Sequence, residues 1–239
     1  MKRIYYMILK NIVRFPYLYL KLLYLVKSKK SSYEQKYNHL KKITYYANKG
    51  GKVNIEAIGV ENIPKKQGYM LYPNHQGMYD VLTIIATHDK PMSVVMKKEL
   101  QKIPLLCRVF QAMGAIAIDR EDIRQSLKVI QTVAKEVENG RNFLIFAEGT
   151  RSREGNKVGE FKGGSFKAAM KAKCAILPVA LVDAFKPFDE NSIKEVNVKV
   201  CYLQPIEYEE YKNMSSNEIA LEVQNRISEK VNELQKQQK

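Results

Sequence analysis

Short apolar runs punctuate this chain at intervals, and amphipathic stretches separate them. The runs KVNIEAIG (52–59), MSVVM (92–96), GAIAID (114–119), RNFLIFAEG (141–149), CAILPVALV (174–182) and KEVNVKVCYLQPI (194–206) predict strands. GYMLYP (68–73) predicts a buried strand that Pro73 ends. Between them, MYDVLTIIAT (78–87) and GSFKAAMKA (164–172) predict helices, and KKELQKIPLLCRVFQAM (97–113) predicts a helix broken at Pro104. REDIRQSLKVIQTVAKEVENG (120–140) has the clearest 3.6-residue period, with acids early and Gly140 just past its end. A last helix is predicted over about 216–238. Strands that alternate with helices predict an α/β fold: a mixed, largely parallel central sheet flanked by helices.

The first 52 residues follow neither pattern. MKRIYYMILKNIVRFPYLYLKLLYLVKSKK is apolar and basic at once, and its five tyrosines and aliphatic side chains are interspersed with cations. Lys10, Arg14 and Lys21 leave no uncharged run near the ~20 residues of a spanning helix. Charges inside the apolar stretch and the lack of a small-residue cleavage site also make it a poor secretory signal. The pattern predicts two helices, separated or kinked at Pro16, lying in a membrane interface with Lys and Arg at the headgroups. The plainer alternative is a basic helix packed on its own domain. Lysine-rich residues 28–52 read as a connecting helix closed by NKGG, which puts a boundary between 1–52, the docking and connecting helices, and 53–239, the α/β domain.

Charge sharpens this division. Residues 1–52 hold thirteen Lys/Arg and one acid (Glu34), so they carry +12 of the chain's +15. Such a block attracts anionic lipid, nucleic acid or an acidic partner. The long aliphatic side chains favour lipid, and no nucleic-acid partner is expected. Three widely spaced cysteines (Cys107, Cys174, Cys201) form neither a CxxC nor a zinc spacing and read as reduced thiols.

Two polar stretches fall where strands end, the edge at which α/β sheets gather ligands. The first is NHQGMYD (74–80). A carboxylate on one imidazole nitrogen fixes the tautomer and leaves the other nitrogen able to take a proton from a hydroxyl. His75 and Asp80 would point about 140° apart within one regular helix. They form a pair only if His75 lies in the turn and Asp80 in the first helical turn, which Pro73, Asn74 and Gly77 favour. His39 and His88 lack this setting and read as surface or packing residues.

The second stretch is FAEGTRSREG (146–155), in which Gly149 permits close backbone approach, Thr150 offers a donor and Arg151 offers a fork for phosphate. Its plain alternative is a charged turn with an internal Glu148–Arg151 pair. Arg120, after GAIAID, is a second phosphate candidate, although DRED also suits a solvated helix start. Lys97 and Lys98 follow a strand and add positive charge, or else lie on a solvated helix. Pro178 interrupts a strand and predicts a bulge or an edge. No GxSxG, HExxH, GxGxxG or metal-ligand cluster is present, and no serine or cysteine nucleophile lies within the histidine motif. A base without a protein nucleophile points to direct attack by a substrate hydroxyl or water.

Together these stretches resemble the glycerolipid acyltransferase family. NHQGMYD resembles its HX4D block, GAIAIDR its second block, FAEGTRS its EGTR block and ILPVAL its fourth, in family order over about residues 74–181. The pattern is most similar to the bacterial 1-acyl-sn-glycerol-3-phosphate acyltransferases. Gly77 departs from it, because many members have serine there, and leaves the helix start without a hydroxyl cap.

The resemblance implies that His75, oriented by Asp80 and supported by Asn74, deprotonates the sn-2 hydroxyl of lysophosphatidic acid. That oxygen then attacks the thioester of acyl-CoA or acyl-carrier protein. Arg120, Arg151 and Lys98 are expected at the phosphate, and Glu148, with Gly149 and Thr150, is expected to position the Arg151 loop or a substrate hydroxyl. Backbone N–H groups are expected to stabilise the oxyanion. No metal or cofactor is expected. The implied setting is the cytoplasmic face of a bacterial membrane, with monotopic or peripheral attachment through the two N-terminal helices. The competing expectations are an acyltransferase for glycerol 3-phosphate or another lysolipid, a thioesterase, and a membrane-surface protein without activity.

Overall fold

The computed structural model describes residues 2–237, and for 104 and 105 the backbone alone. Seven strands form one sheet: β1 (Val53–Ile58), β2 (Met70–Pro73), β3 (Met92–Lys97), β4 (Ile116–Ile118), β5 (Asn142–Leu144), β6 (Ile176–Val182) and β7 (Val196–Tyr202). Their order is β1-β7-β6-β2-β5-β3-β4. Every neighbouring pair is parallel except β6 and β7, so the sheet is mixed and largely parallel as its alternation with helices predicts. β2 lies between β5 and β6 and is wholly buried. Its side chains alternate between two apolar layers, Leu71 into one and Met70 and Tyr72 into the other.

The first layer is built from α3 (Tyr33–Gly51), α4 (Asp80–Thr87) and α5 (Pro104–Ala112), joined by α1 (Lys2–Lys10) and α2 (Phe15–Lys27). The second holds α6 (Ile123–Glu138), α7 (Lys167–Ala172) and the long α10 (Ser216–Lys236). Two further helices, α8 (Lys186–Asp189) and α9 (Tyr208–Tyr211), are single turns too short to show a period in the sequence. Ser32 with Gln35 and Ser215 with Glu218 form capping boxes that start α3 and α10. The expected end of the last helix near 238 lies outside the described residues.

Several local expectations change. The stretch predicted as a helix broken at Pro104 is a 3-10 turn over Lys98–Lys102, followed by α5, with Pro104 as its first residue. Proline suits that position because its missing N–H would have no helical partner. α4 begins at Asp80 rather than Met78, and the α1–α2 break falls at residues 11–14, with Pro16 in the first turn of α2. Asn11 fills the break, donating to Met7 O at 2.8 Å and Tyr46 O at 3.0 Å.

Pro178 lies inside the sheet, not at an edge. Val179 pairs with Tyr202, but Ile176 bridges Ile206, so three steps along β6 match four along its partner. The extra residue opposite Pro178 is a bulge, placed where the proline cannot donate to the ladder.

The apolar core is continuous across residue 52: Met7, Leu22, Tyr37 and Leu40 belong to the same cluster as Leu71 and Val198. Among the described residues, no helix is long and apolar enough to cross a membrane. α1, α2 and the break between them bury Met7, Leu18, Leu22 and Leu25 and turn Tyr5, Leu9, Ile12, Val13, Tyr17, Leu20 and Tyr24 outward.

Candidate active site

Both polar stretches lie at the C-terminal ends of adjacent parallel strands. β2 ends in the turn that carries His75, and β5 runs on, with Ile145 N–H bonded to Leu71 O at 3.0 Å, into the turn that carries Glu148. The next two strands along the same edge, β3 and β4, are followed by Lys98 and Arg120. From β2 to β4 is three strand spacings, ~14 Å.

His75 lies in the turn and Asp80 is the first residue of α4. The chain therefore folds back and brings His75 Nδ1 to 2.7 Å from Asp80 Oδ2. The carboxylate is fully buried and also accepts the N–H groups of Gln76 at 2.7 Å and Gly77 at 3.0 Å. Burial raises the Asp80 pKa, and the hydrogen bond from His75 and the two backbone N–H bonds oppose that rise. The acceptor at Oδ2 requires Nδ1 to carry the proton. Nε2 then has a free lone pair, and it has no hydrogen-bond partner among the described residues. The imidazole is about one-fifth exposed and stacks on Phe146, with centroids 3.9 Å apart and planes 20° apart.

The backbone of His75 is held by the second turn. Its N–H donates to Glu148 Oε1 at 2.7 Å, and its C=O accepts from Ser152 N–H at 2.8 Å. Glu148 is buried and also accepts the backbone N–H of Gly159. Burial raises its pKa, and these backbone bonds lower it in part. Its carboxylate is thus occupied by backbone and makes no pair with Arg151. Gly149, at φ 74°, takes the left-handed conformation that this turn needs.

Other members of the site are further apart in role. Asn74 is buried and links β2 to β6, accepting from Leu181 N–H at 2.7 Å and donating to Leu181 O at 3.1 Å. Gln76 reaches Ala184 N–H at 2.9 Å and Asn156 at 2.8 Å, and Asn156 in turn holds Asp183. Arg151 pairs through one Nη1 with Asp189 at 3.5 Å, which leaves its Nε and Nη2 edge without a hydrogen bond among the described residues. Thr150 and Arg120 are exposed. Lys98 is ion-paired with Asp119 at an exposed site, which keeps its ammonium charged and offsets its field only locally.

Phe146 and Asp189 went unrecognised as members of the site. Phe146 lies two residues before Glu148, on the strand-end side chain facing His75, and period-two counting could have found it. Asp189 lies outside every recognisable block and carried no signal. Among the described residues, no three His, Cys, Asp or Glu side chains cluster as metal ligands would.

His39 and His88 are packing residues. His39 Nε2 meets Leu18 O at 2.9 Å and ties α3 to α2. His88 donates from Nδ1 to Lys90 O at 2.7 Å and accepts the Tyr69 hydroxyl at Nε2 at 2.8 Å.

The family model described as Acyltransferase matches residues 54–182 of the chain. The chain is 37% identical over 141 residues to a 1-acyl-sn-glycerol-3-phosphate acyltransferase of Borreliella burgdorferi, covering 59% of this chain and 56% of that protein. It is 31% identical over 165 residues to the protein of that name in Salmonella typhimurium, covering 69% and 67%. Its fold matches the crystal structure of the 1-acyl-sn-glycerophosphate (LPA) acyltransferase PlsC of Thermotoga maritima with a TM-score of 0.80 over 98% of this chain and 96% of that one, at 20% identity. With the family model spanning more than half of its length, the chain belongs to the acyltransferase family.

Proposed function

We propose that this protein transfers an acyl chain from acyl-CoA or acyl-carrier protein to the sn-2 hydroxyl of 1-acyl-sn-glycerol 3-phosphate, giving phosphatidic acid. The observation that carries the reading is the state of the His75 ring: Nδ1 held on a buried carboxylate, Nε2 unengaged, and no protein nucleophile in the motif. Nε2 takes the proton of the acceptor hydroxyl as its oxygen attacks the thioester carbonyl. Asp80 stabilises the imidazolium that forms. Collapse of the tetrahedral intermediate expels the thiolate, which takes the proton back from Nε2. The acceptor phosphate meets the free edge of Arg151 and the exposed Arg120, both unengaged by backbone. Lys98, whose charge Asp119 partly offsets, is the third proposed phosphate ligand. Asn74, Glu148, Gly149 and Pro178 support the base and its turn.

Residues 1–52 serve as docking and connecting helices for the catalytic unit 53–239. The outward face of α1, α2 and the break between them combines seven exposed apolar side chains with Lys10, Arg14 and Lys21, the composition of a helix pair lying in a lipid interface. The proposed location is the cytoplasmic face of a bacterial membrane, peripheral or monotopic, where lysophosphatidic acid resides.

The test uses purified protein on liposomes. It offers acyl-CoA or acyl-carrier protein with lysophosphatidate or glycerol 3-phosphate to wild type and His75→Ala. Phosphatidate formed by wild type alone supports the reading and names the donor. Equal turnover by His75→Ala overturns the role of the base. Transfer to glycerol 3-phosphate alone moves the acceptor, and fatty acid released without any acceptor makes the protein a hydrolase.

A further inference from the structure

Arg3 is a fully buried cation in the first turn of α1, and among the described residues no carboxylate bonds it. Its guanidinium instead binds three backbone carbonyls from three parts of the chain: Gly51 O at 2.5 Å, Lys194 O at 2.7 Å and Pro187 O at 3.1 Å. Glu190, immediately after α8, offsets part of the charge. Burying an arginine is costly unless its donors find partners, so a hydrophobic residue would join α1 to the core more simply. What the arginine adds is direction, because its fork fixes where the carbonyl of Pro187, in the middle of α8, must lie.

α8 lies directly on the catalytic turn. A Cβ at Gly77 would stand 2.6 Å from Asp189 Oδ2 and 2.8 Å from Phe185 Cα, so a glycine there is what lets α8 approach. Phe188 packs edge-on against Tyr79, with centroids 5.0 Å apart. Asp189, the last residue of α8, then reaches Arg151. A continuous path therefore runs from Arg3 through Pro187 and Asp189 to Arg151. On the α1 side it is equally close-packed, since a Cβ at Gly51 would overlap Met7.

We infer that Arg3 and Asp189 are positioning residues for the acceptor site: Arg3 seats α8 on the catalytic turn, and Asp189 holds Arg151 by one Nη1 so that its remaining edge faces the acceptor phosphate. The inference rests on the reading of Arg151 as a phosphate ligand. It makes the seating of the N-terminal helix part of acceptor recognition, and it accounts for Gly77, where the family resemblance favours serine.

The experiment measures acceptor and donor kinetics on liposomes for Arg3→Met, Asp189→Asn, their double variant, Arg3→Lys, Gly77→Ala and Arg151→Ala. Thermal melts and vesicle flotation report folding and docking. Arg3→Met and Asp189→Asn are each expected to raise the acceptor KM about tenfold, with donor KM unchanged and kcat changed less, and the double variant to be no worse than either. Arg3→Lys should recover part of the loss. Gly77→Ala displaces Asp189 without touching Arg3 and should also raise the acceptor KM, with a fall in kcat because the Gly77 N–H holds Asp80; Asp189→Asn keeps the test usable if Arg3→Met folds poorly. Effects that multiply in the double variant would overturn the path. An acceptor KM that falls in Asp189→Asn would overturn it too, since Asp189 would then be competing with the phosphate. If Arg151→Ala raises the acceptor KM but the Arg3 and Asp189 variants do not, only this inference fails. If Arg151→Ala itself leaves it unchanged, the phosphate reading and the inference fail together.

Discussion

Replacing Asp80 by Asn separates the charge of the carboxylate from its shape. Oδ2 accepts from His75, Gln76 and Gly77, while Oδ1 accepts only the Gly77 N–H that Oδ2 already shares. An asparagine whose amide nitrogen takes the Oδ1 position keeps the acceptor at Oδ2, and with it the turn and the Nδ1–H tautomer. What disappears is the negative charge beside an imidazolium that exists only once Nε2 has taken the acceptor's proton. Two unit charges ~4 Å apart at an effective dielectric of ~20 attract by about 4 kcal/mol, which corresponds to roughly a 10³-fold loss in rate. The loss should fall on kcat and leave the acceptor KM unchanged, because the charge pair forms in the chemical step. Release of free CoA thiol, followed with saturating lysophosphatidate on liposomes, reads this directly, and a thermal melt establishes that the variant is folded. A folded Asp80→Asn protein with kcat within about tenfold of wild type would refute the reasoning and reduce Asp80 to a brace for the turn.

Glu148→Gln sets an amide NH2 against one of the two backbone N–H groups that Glu148 accepts, at a cost of about 1–3 kcal/mol. A lower melting temperature and lower kcat with unchanged acceptor KM are expected, whereas a raised KM alone would put Glu148 on the substrate. Leu9 and Leu20 are each more than 60% exposed on the outward face, and replacing both by Asp removes about 2 kcal/mol of lipid burial apiece. Flotation with anionic vesicles should drop steeply, and full retention would sink the interfacial role of this face. Burial holds the His88 pKa down at about 4, whereas the unfolded chain titrates near 6.5. Between those values the unfolded state binds the extra proton, so stability falls as pH drops from about 6.5 to about 4, by ~3 kcal/mol, and nothing is lost above that window. Urea melts at pH 4.5 and 7.5 should show this difference shrinking in His88→Gln, and an equal difference in both proteins would count against it.

The parts of this molecule written in short sequence windows were legible. β2 announces itself as an apolar run stopped by Pro73, and the turn after it carries the proline, asparagine and glycine that allow His75 and Asp80 to meet. α6 declares its period and its end. The illegible parts depend on contacts between distant segments. Nothing local to Gly77 says that α8 will press on it, and nothing local to Asp189 says that it will meet Arg151. Glu148 could be placed at a strand end, but its choice of backbone N–H groups over Arg151 depends on which strand lies next to β5. The helix predicted over 97–113 divides into a 3-10 turn at Lys98–Lys102 and α5, which starts at Pro104. Pro178 signalled a bulge correctly in kind, but the bulge lies on the partner strand, where no sequence signal of its own is present.

In the proposed reaction, His75 does not itself distinguish an acceptor hydroxyl from water. Its tautomer, its ring plane and both polar groups of its backbone are held by Asp80, Phe146, Glu148 and Ser152, all of them protein groups. Preference for transfer over hydrolysis would therefore come from the groups that seat the acceptor, and Arg151 presents an unbonded Nε and Nη2 edge beside this turn. Arg151→Ala leaves every contact to the imidazole in place, so the bound thioester still faces a competent base. Lysophosphatidate at a fixed concentration then occupies the site less often, and water takes a larger share of the turnovers. The ratio of free fatty acid to phosphatidate should rise in Arg151→Ala and fall back towards the wild-type ratio as lysophosphatidate is raised. A ratio that stays at the wild-type value while total turnover drops would place Arg151 with the base rather than with the acceptor.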